Sequence, residues 1–339
     1  MAVMSKMLGS ALALAASVAA SPVSPRSQII TKVSRDDPVR IIIDTDVQLE
    51  PMINASFADP GILRAGDGLW YAFATNNPNT GFNVPRASAP EPLGPWERID
   101  GDAMPDLGWT NGEDYWAPDV RELPDGSYIM YFSGTFPGER HCVGVSRSAT
   151  PEGPYEPDAE PWNCDHDLGG SIDPAGFFDE ATGKMYVTYK IDGNALGNGG
   201  SCNNGIPPIN NTPLMLQEVD AEDGSTKIGD AIEIMGLVEA DGPVIEAPNI
   251  VEIDGTYVLF FSSGCYDGDG YSTKYAWADS VTGPYTRATE TLLQSPDLGL
   301  RGPGGATSTE EGLKFLALHG YCGDSGRCFY VVPFEFEQD

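Results

Sequence analysis

Short apolar runs alternate with glycine-containing turns along most of this chain. The segment FADPGILRAGDGLWYAFAT (57–75) contains an Asp-Pro step, a short apolar run, an Asp-Gly turn and a second run of aromatic and aliphatic residues. Apolar runs of this length, bounded by Gly, Pro and Asp, are typical of β-strands joined by tight turns. The sequence has no long stretch with the apolar spacing of an amphipathic helix, so the pattern predicts an all-β protein.

The same pattern occurs five times in register. Its prolines stand at positions 60, 118, 174, 248 and 303, and a turn glycine follows each after seven to nine residues. Three copies continue into a Gly-Pro-aromatic step, at 94–96, 153–155 and 283–285. A repeat of this length with about four short strands is typical of a β-propeller blade. We therefore predict one five-bladed β-propeller domain over residues 51–339.

The third copy is longer than the others. Its surplus falls in the Gly- and Asn-rich segment 190–213, which contains Cys202. Loops of this length are usually functional or disordered. We interpret the segment as a loop that is tied down by a disulfide bond and forms a wall or lid over the propeller axis.

The first 20 residues have the pattern of a signal peptide. Lys6 gives a positive start, an apolar run extends from Met7 to Ala20, and Val18-Ala19-Ala20 is a small-residue cleavage site. The apolar run is too short to span a membrane, so we expect a secreted protein. We expect residues 21–50 to be a lead-in segment, partly flexible and partly an extra strand, VRIIIDTDV, that closes the ring.

The cysteines and sequons agree with secretion. Six cysteines can form three disulfides in 15 possible pairings. The short spacing favours Cys322 with Cys328, and the weaker interpretations are Cys142 with Cys164 and Cys202 with Cys265. No two cysteines have the C-x-x-C spacing of a zinc or redox site. N-glycosylation sequons begin at Asn54 and Asn210.

The formal net charge of −31 restricts the choice of partners. Nucleic acid, acidic membrane surfaces and de-esterified pectin would be repelled, and the 19 Lys and Arg residues are spread along the chain. We therefore expect no nucleic-acid or membrane partner. A neutral ligand or an acidic working pH is compatible with the charge, and the solubility of an extracellular protein explains it equally well.

The side chains beside the five prolines are the candidates for a functional site. The first strand of each propeller blade lines the central axis, so these positions converge although they are far apart in sequence. Directly before the prolines stand Asp59, Ala117, Asp173, Ala247 and Gly302, and one residue earlier stand Ala58, Trp116, Ile172, Glu246 and Arg301. Three carboxylates, a tryptophan and an arginine are therefore expected to face a common centre.

Three carboxylates at one centre indicate acid–base chemistry. Unpaired buried carboxylates are costly, and an ordinary packed centre would use small or apolar residues. Crowded carboxylates raise one another's pKa, which lets one stay protonated as an acid while another is ionised as a base. Glycoside hydrolysis uses such a pair, and a neighbouring aromatic ring gives a sugar a flat face. For any single Asp-Pro step, a carboxylate that only caps a turn is the alternative.

The ordered motifs FADPGI, YWAPDV, SIDPAGFF and IEAPNI in the first four copies resemble glycoside hydrolase family 43. The resemblance covers essentially the whole chain after the signal peptide. It implies a five-bladed propeller that hydrolyses arabinose- and xylose-containing plant polysaccharides with inversion. It also implies Asp59 as general base, Glu246 as general acid, Asp173 as the carboxylate that tunes and orients the acid, and Trp116 as a sugar-stacking residue. Asp119 is interpreted as a structural carboxylate.

The fifth copy departs from the family's pattern. Many members have a histidine in a Gly-x-Gly-His step here, often close to a central calcium, whereas this chain has the sequence RGPGG (301–305). We expect no required cofactor. If a structural calcium lies at the axis, His319 is the candidate ligand, and a core histidine is the alternative. Arg301 is interpreted either as a substrate-binding residue that holds a sugar hydroxyl or Glu246, or as part of a structural salt bridge.

The resemblance therefore implies a secreted inverting glycosidase, with an α-L-arabinofuranosidase as the leading hypothesis. Endo-1,5-α-L-arabinanase and β-xylosidase are alternatives within the family. A non-catalytic sugar-binding propeller and a retaining, fructan-cleaving propeller are alternatives outside it. The expected partner is arabinan, arabinoxylan or an oligosaccharide derived from them, bound by a monomer.

Overall fold

The computed structural model describes residues 37–77, 80–136, 140–309 and 314–339 and confirms the predicted fold class. In these residues, four four-stranded sheets and one three-stranded sheet follow one another along the chain, and a two-stranded sheet joins the ends. This is the arrangement of a five-bladed β-propeller. The predicted signal peptide, 1–20, and the first part of the lead-in segment lie outside the described residues.

Each blade is an antiparallel meander whose strands follow chain order. The first contains β2 (Gly61–Arg64), β3 (Trp70–Phe73), β4 (Arg86–Ala89) and β5 (Glu97–Ile99). The second contains β6 (Trp116–Glu122), β7 (Tyr128–Thr135), β8 (His141–Ser148) and β9 (Glu156–Pro157). The third contains β10 (Ser171–Asp179), β11 (Lys184–Ile191), β12 (Leu214–Val219) and β13 (Lys227–Met235).

The fourth and fifth blades continue the same order. The fourth contains β14 (Ile245–Ile253), β15 (Thr256–Ser263), β16 (Ser272–Ala278) and β17 (Thr286–Arg287). The fifth contains β18 (Gly304–Thr307), β19 (Phe315–Tyr321) and β20 (Arg327–Pro333). Helical structure in the described part of the chain consists of 3-10 turns at His166–Leu168, Gly193–Leu196, Ser201–Asn203, Glu239–Asp241, Asp297–Gly299 and Gly323–Ser325. None of these turns has the length needed to cross a membrane.

Two contacts between the beginning and the end of the chain close the ring. The backbone N–H of Met52 donates to the carbonyl of Phe329 and that of Phe57 to the carbonyl of Arg327, each at 2.8 Å, so the segment before β2 runs along the last strand of the fifth blade. The predicted extra strand is confirmed as β1 (Val39–Ile42), which pairs antiparallel with β21 (Glu335–Gln338).

The innermost strand of every blade is preceded or interrupted by the same distorted step. The residue before each aligned proline has a left-handed φ, namely Asp59 at 50°, Ala117 at 43°, Asp173 at 54°, Ala247 at 51° and Gly302 at 59°. In the second to fourth blades the ladder shifts register here, and in the fifth blade it shifts after the aligned proline, between Gly304 and Thr307. A bulge re-aims side chains, and strained non-glycine residues of this kind cluster at functional sites.

Apolar packing between neighbouring blades fixes these strands relative to one another. One cluster joins β1 to the fourth and fifth blades through Ile41, Tyr275 and Leu318. Another joins the third and fourth blades, where the rings of Phe177 and Tyr257 pack edge to face with centroids 6.0 Å apart. The positions before the prolines are therefore held by a packed framework.

All six cysteines form disulfides, and the three favoured pairings are confirmed. Cys142–Cys164 ties β8 to the loop after the second blade, and Cys322–Cys328 closes the hairpin of β19 and β20. Cys202–Cys265 ties the long 190–213 segment to the fourth blade.

Candidate active site

A cavity of about 480 Å³ lies at the end of the axis where the innermost strands begin. Side chains from all five blades line it, including Asp59, Trp116, Asp173, Glu246 and Arg327. The first four of these residues are those that the repeat pattern predicts to meet at a common centre, and the structure brings them together. Arg327, at the start of β20, was not anticipated.

Asp59 is surrounded by groups that stabilise its negative charge. Thr75 Oγ1 donates to Asp59 Oδ2 at 2.6 Å, and a guanidinium nitrogen of Arg327 lies 3.1 Å from Oδ1. The Nδ1 atom of His319 also lies 3.1 Å from Oδ1. Burial opposes ionisation, but Arg327 and Thr75 hold the pKa of Asp59 well below its usual range. Asp59 therefore has the character of an ionised base.

Asp173 has the opposite environment. Its backbone N–H donates to Ser133 Oγ at 2.9 Å, and its Oδ2 accepts the backbone N–H of Ala247 at 3.0 Å. Burial and the neighbouring carboxyl of Glu246 raise the pKa of Asp173 to about 8, against the influence of Lys190. Because the two carboxyls interact, their protons belong to the pair, which retains one proton near neutral pH.

Lys190 and Asp192 complete the acidic side of the cavity and were missed by the sequence analysis. Lys190 Nζ lies 3.1 Å from Glu246 Oε2 and 3.5 Å from Asp192 Oδ1. The available signal was a lysine at the end of the apolar strand KMYVTYKI, where a buried ammonium needs a carboxylate partner.

Trp116 lines the cavity as expected, and a histidine holds its ring. The rings of Trp116 and His141 have centroids 4.1 Å apart and an interplanar angle of 35°. His141 in turn lies between two carboxylates, with Nδ1 3.5 Å from Asp192 Oδ2 and Nε2 3.6 Å from Asp114 Oδ2. These contacts place a firmly held aromatic side chain at the cavity surface.

The long segment of the third blade forms part of the cavity, which confirms its interpretation as a wall. Asn194, Ala195, Cys202 and Asn203 contribute to the lining. The disulfide from Cys202 to Cys265 fixes this wall to the fourth blade.

Arg301 lies elsewhere, so its interpretation as the partner of Glu246 is wrong, and the alternative interpretation as part of a salt bridge is confirmed. Its guanidinium pairs with Asp269, and its side chain is 62% exposed. The regular strand of the fifth blade begins only at Gly304, so Arg301 belongs to the preceding turn, where the chain directs it outward. The cation that contacts Glu246 is Lys190.

Asp119 has the structural role that was expected. It is buried, lies 3.0 Å from Arg121 Nε, and accepts the backbone N–H of Gly176 at 2.8 Å. It therefore links the innermost strands of the second and third blades.

His319 is fully buried and contacts the base side of the cavity. Its Nδ1 accepts the backbone N–H of Asp59 at 3.2 Å, and its ring stacks on Tyr271 with centroids 5.6 Å apart. Burial and Arg327 lower its pKa, which favours a neutral imidazole. Its Nε2 has no hydrogen-bond partner among the described residues.

The donors at the axis do not by themselves form a calcium site. Calcium takes six to eight oxygen ligands, whereas His319 offers one nitrogen. Among the described residues, the one group of three close metal-ligand side chains is Cys142, Cys164 and His166, and its two sulfurs are joined in a disulfide. Calcium binding at the axis stays a prediction.

Similarity to known proteins agrees with this geometry. The model of the family described as "Glycosyl hydrolases family 43" matches residues 49–339. The "Probable arabinan endo-1,5-alpha-L-arabinosidase C" of Aspergillus flavus is 32% identical over 222 residues, which cover 64% of this chain and 61% of that protein. The "Extracellular endo-alpha-(1->5)-L-arabinanase" of Thermotoga petrophila is 26% identical over 264 residues, which cover 67% of this chain and 50% of that protein. The matches thus span about half to three fifths of these relatives' length.

A solved structure of a thermostable family-43 glycoside hydrolase has the same fold. It superposes with a TM-score of 0.67 at 22% identity and covers 86% of this chain and 91% of its own. Because the family model spans almost all of the described chain, the protein belongs to glycosyl hydrolases family 43.

Proposed function

We propose that this protein is an inverting glycoside hydrolase that cleaves α-L-arabinofuranosyl linkages of arabinan. The observation that carries the proposal is the contrast between two sides of one cavity, where Arg327 holds the pKa of Asp59 well below its usual range while burial and Glu246 raise that of Asp173 to about 8. Inverting glycoside hydrolysis requires an ionised base and a protonated acid of this kind. The arabinan-acting names of the relatives support the choice of sugar.

In the proposed reaction, Asp59 accepts a proton from a water molecule as the water oxygen bonds to the anomeric carbon. The bond from that carbon to the leaving oxygen breaks on the opposite face, and Glu246 donates its proton to that oxygen. Asp173 keeps a proton available to Glu246 because the two buried carboxyls resist simultaneous ionisation. We assign Trp116 to stacking on a sugar ring.

Two modes of attack on arabinan each have support. Endo-acting cleavage is supported by the names of the relatives. Exo-acting cleavage, as by an α-L-arabinofuranosidase, is supported by the wall formed by Asn194, Ala195 and Asn203, which the disulfide at Cys202 fixes. A fixed wall on one side of a cavity favours binding of a chain end.

We also propose that the protein acts outside the cell. All six cysteines are paired in disulfides, which persist in oxidising compartments. The Thermotoga petrophila relative is named as extracellular. The signal-peptide pattern at residues 1–20 agrees with this location.

Hydrolysis of linear arabinan, arabinoxylan, an aryl α-L-arabinofuranoside and an aryl β-xyloside by the wild type and two variants tests the proposal. We expect the wild type to cleave arabinan and to release the β-anomer first. Asp59→Asn and Glu246→Gln should each reduce kcat about 10³-fold, because each removes one proton-transfer group. Asp279→Asn, at an exposed position, is the matched control and should retain full activity.

The products decide between the alternatives. A mixed series of oligosaccharides indicates endo action, and arabinose alone indicates exo action. Initial release of the α-anomer would contradict the role of Asp59. Binding of arabinan without any wild-type turnover would identify a sugar-binding propeller instead.

A further inference from the structure

One fully buried charged side chain of the cavity has no role in the proposed reaction. Lys190 has none of its surface exposed, although it lies beside the cavity. Its Nζ is 3.1 Å from Glu246 Oε2 and 3.5 Å from Asp192 Oδ1. A buried ammonium is costly unless carboxylates compensate it, so these two contacts account for its position.

The contacts continue beyond Lys190 to the aromatic side of the cavity. Asp192 Oδ2 lies 3.5 Å from His141 Nδ1, and the His141 ring packs on Trp116. A continuous row of contacts therefore joins the carboxyl of Glu246 to the aromatic side chain of Trp116 across one edge of the cavity. Asp192 is itself buried, so its charge acts on Lys190 with little screening by solvent.

We propose that Lys190 is the positioning residue for Glu246 and that Asp192 limits the effect of its charge. The inference rests on the proposed function, since it assigns Lys190 to the acid of that reaction. The ammonium donates to Oε2, so this oxygen serves as the acceptor and the transferable proton is carried on Oε1. Lys190 thus selects which oxygen faces the leaving group.

The opposite charges of Lys190 and Asp192 predict opposite changes in the pH at which the Asp173–Glu246 pair loses its proton. Lys190 favours the ionised form of the Asp173–Glu246 pair, so its removal should make the pair hold its proton to higher pH. Asp192 partly neutralises Lys190, so removal of the Asp192 charge should release the proton at lower pH. A purely structural role would not produce shifts of opposite sign.

Other titratable groups face the same space and stay unchanged in this comparison. They come from the first, second, fourth and fifth blades as well as from β10, and they are Asp59, Asp114, Arg140, His141, Asp173, Tyr266, Tyr271, His319 and Arg327. Differences in pH dependence between the variants therefore report the effect of the charges of Lys190 and Asp192.

The test is the pH dependence of kcat on arabinan for Lys190→Met, Lys190→Arg and Asp192→Asn. For Lys190→Met we expect the alkaline limb to move up by about 1 pH unit and kcat to fall about 10- to 100-fold. For Asp192→Asn we expect the limb to move down. Lys190→Arg keeps the positive charge, so its alkaline limb should stay at the pH of the wild type. Lys184→Met is the matched control, because Lys184 lies on the same strand but pairs with Glu218, away from the cavity, at 2.9 Å.

A second readout separates failure of this inference from failure of the proposed function. The infrared band of protonated carboxylic acids, followed against pH, needs no substrate, and Asp173→Asn and Glu246→Gln identify the contribution of the pair. The band should persist to higher pH in Lys190→Met and disappear at lower pH in Asp192→Asn, even if no substrate is turned over. Shifts of the same sign in both variants, or no shift in Asp192→Asn, would overturn the inference. If Lys190→Met does not fold, Asp192→Asn decides.

Discussion

Asp59 and Asp173 occupy the same position in two blades, directly before an aligned proline, with φ values of 50° and 54°. They line one cavity, and yet the pKa of Asp59 lies well below its usual range while that of Asp173 is raised to about 8. Both are buried, so burial alone does not separate them. The difference comes from what each carboxyl meets.

Asp59 meets a cation from a distant part of the chain and a hydroxyl from its own blade. Arg327 belongs to the fifth blade, and Thr75 follows β3 within the first. Asp173 instead meets Glu246, a carboxyl of the fourth blade. A repeat fold therefore generates an acid side and a base side from equivalent positions by changing the neighbouring blade.

After the variants of Asp59 and Glu246, the largest effect should come from removing the carboxyl of Asp173 on the acid side. Asp173→Asn keeps the size of the side chain but removes its proton and its charge, so Glu246 no longer shares a proton with a second carboxyl. We expect kcat on arabinan to fall about 100-fold, with the alkaline limb of the pH profile moved to lower pH. Steady-state kinetics between pH 4 and 10 check this prediction.

The control for that variant is binding. Because Asp173→Asn leaves Trp116 and the wall in place, its affinity for arabinan, measured calorimetrically, should stay close to that of the wild type. An unchanged alkaline limb would mean that the proton of the pair does not govern the reaction.

A smaller effect is expected from weakening the base side at Arg327. The folded pKa of Asp59 is depressed, so the base stays ionised and active to unusually low pH. Arg327→Met removes the nearest cation and raises the pKa of Asp59. The acidic limb of kcat/KM, which reports the free enzyme, should therefore move up by about 1 pH unit.

Arg327→Lys provides the matched comparison because it keeps a positive charge at the same position. Its acidic limb should lie between those of the wild type and Arg327→Met. An equal shift in both variants would attribute the effect to packing on Tyr266, whose ring centroid lies 5.0 Å from the guanidinium carbon, and not to charge.

The repeat pattern was sufficient to predict the fold and, for the first four blades, the positions that meet at the axis. Proline register alone identified Asp59, Trp116, Asp173 and Glu246, because a propeller places equivalent positions of successive blades around one centre. Short spacing also favoured the Cys322–Cys328 disulfide, which the structure contains.

The charged side chains that set the pKa values of these residues could not be predicted from the alignment of the prolines. Lys190 and Arg327 lie at strand ends in the second and third strands of their blades, outside the aligned step. Arg301 lies in the aligned step and was chosen for that reason, but it precedes its strand and pairs with Asp269. Register predicts which backbone positions converge, whereas side-chain partners depend on contacts between blades.

The smallest effect is one of stability, and it should have opposite signs on the two sides of the cavity. Asp59 has a depressed folded pKa, so its ionised form stabilises the fold above its unfolded pKa, and this contribution is lost as pH falls through the folded value. Asp173 has a folded pKa of about 8, so the folded state loses stability as pH rises from the unfolded value near 4 to about 8.

At pH 9, Asp59→Asn should therefore lower Tm and Asp173→Asn should raise it, each by about 2–4 °C. At pH 4 the gain for Asp173→Asn should shrink nearly to zero, whereas the loss for Asp59→Asn should largely persist, because the folded pKa of Asp59 lies far below 4. Thermal unfolding at the two pH values, with the exposed variant Asp279→Asn as reference, measures the effect. Changes of the same sign at pH 9 would mean that the two carboxyls do not differ in protonation, and the division of the cavity into a base side and an acid side would be wrong.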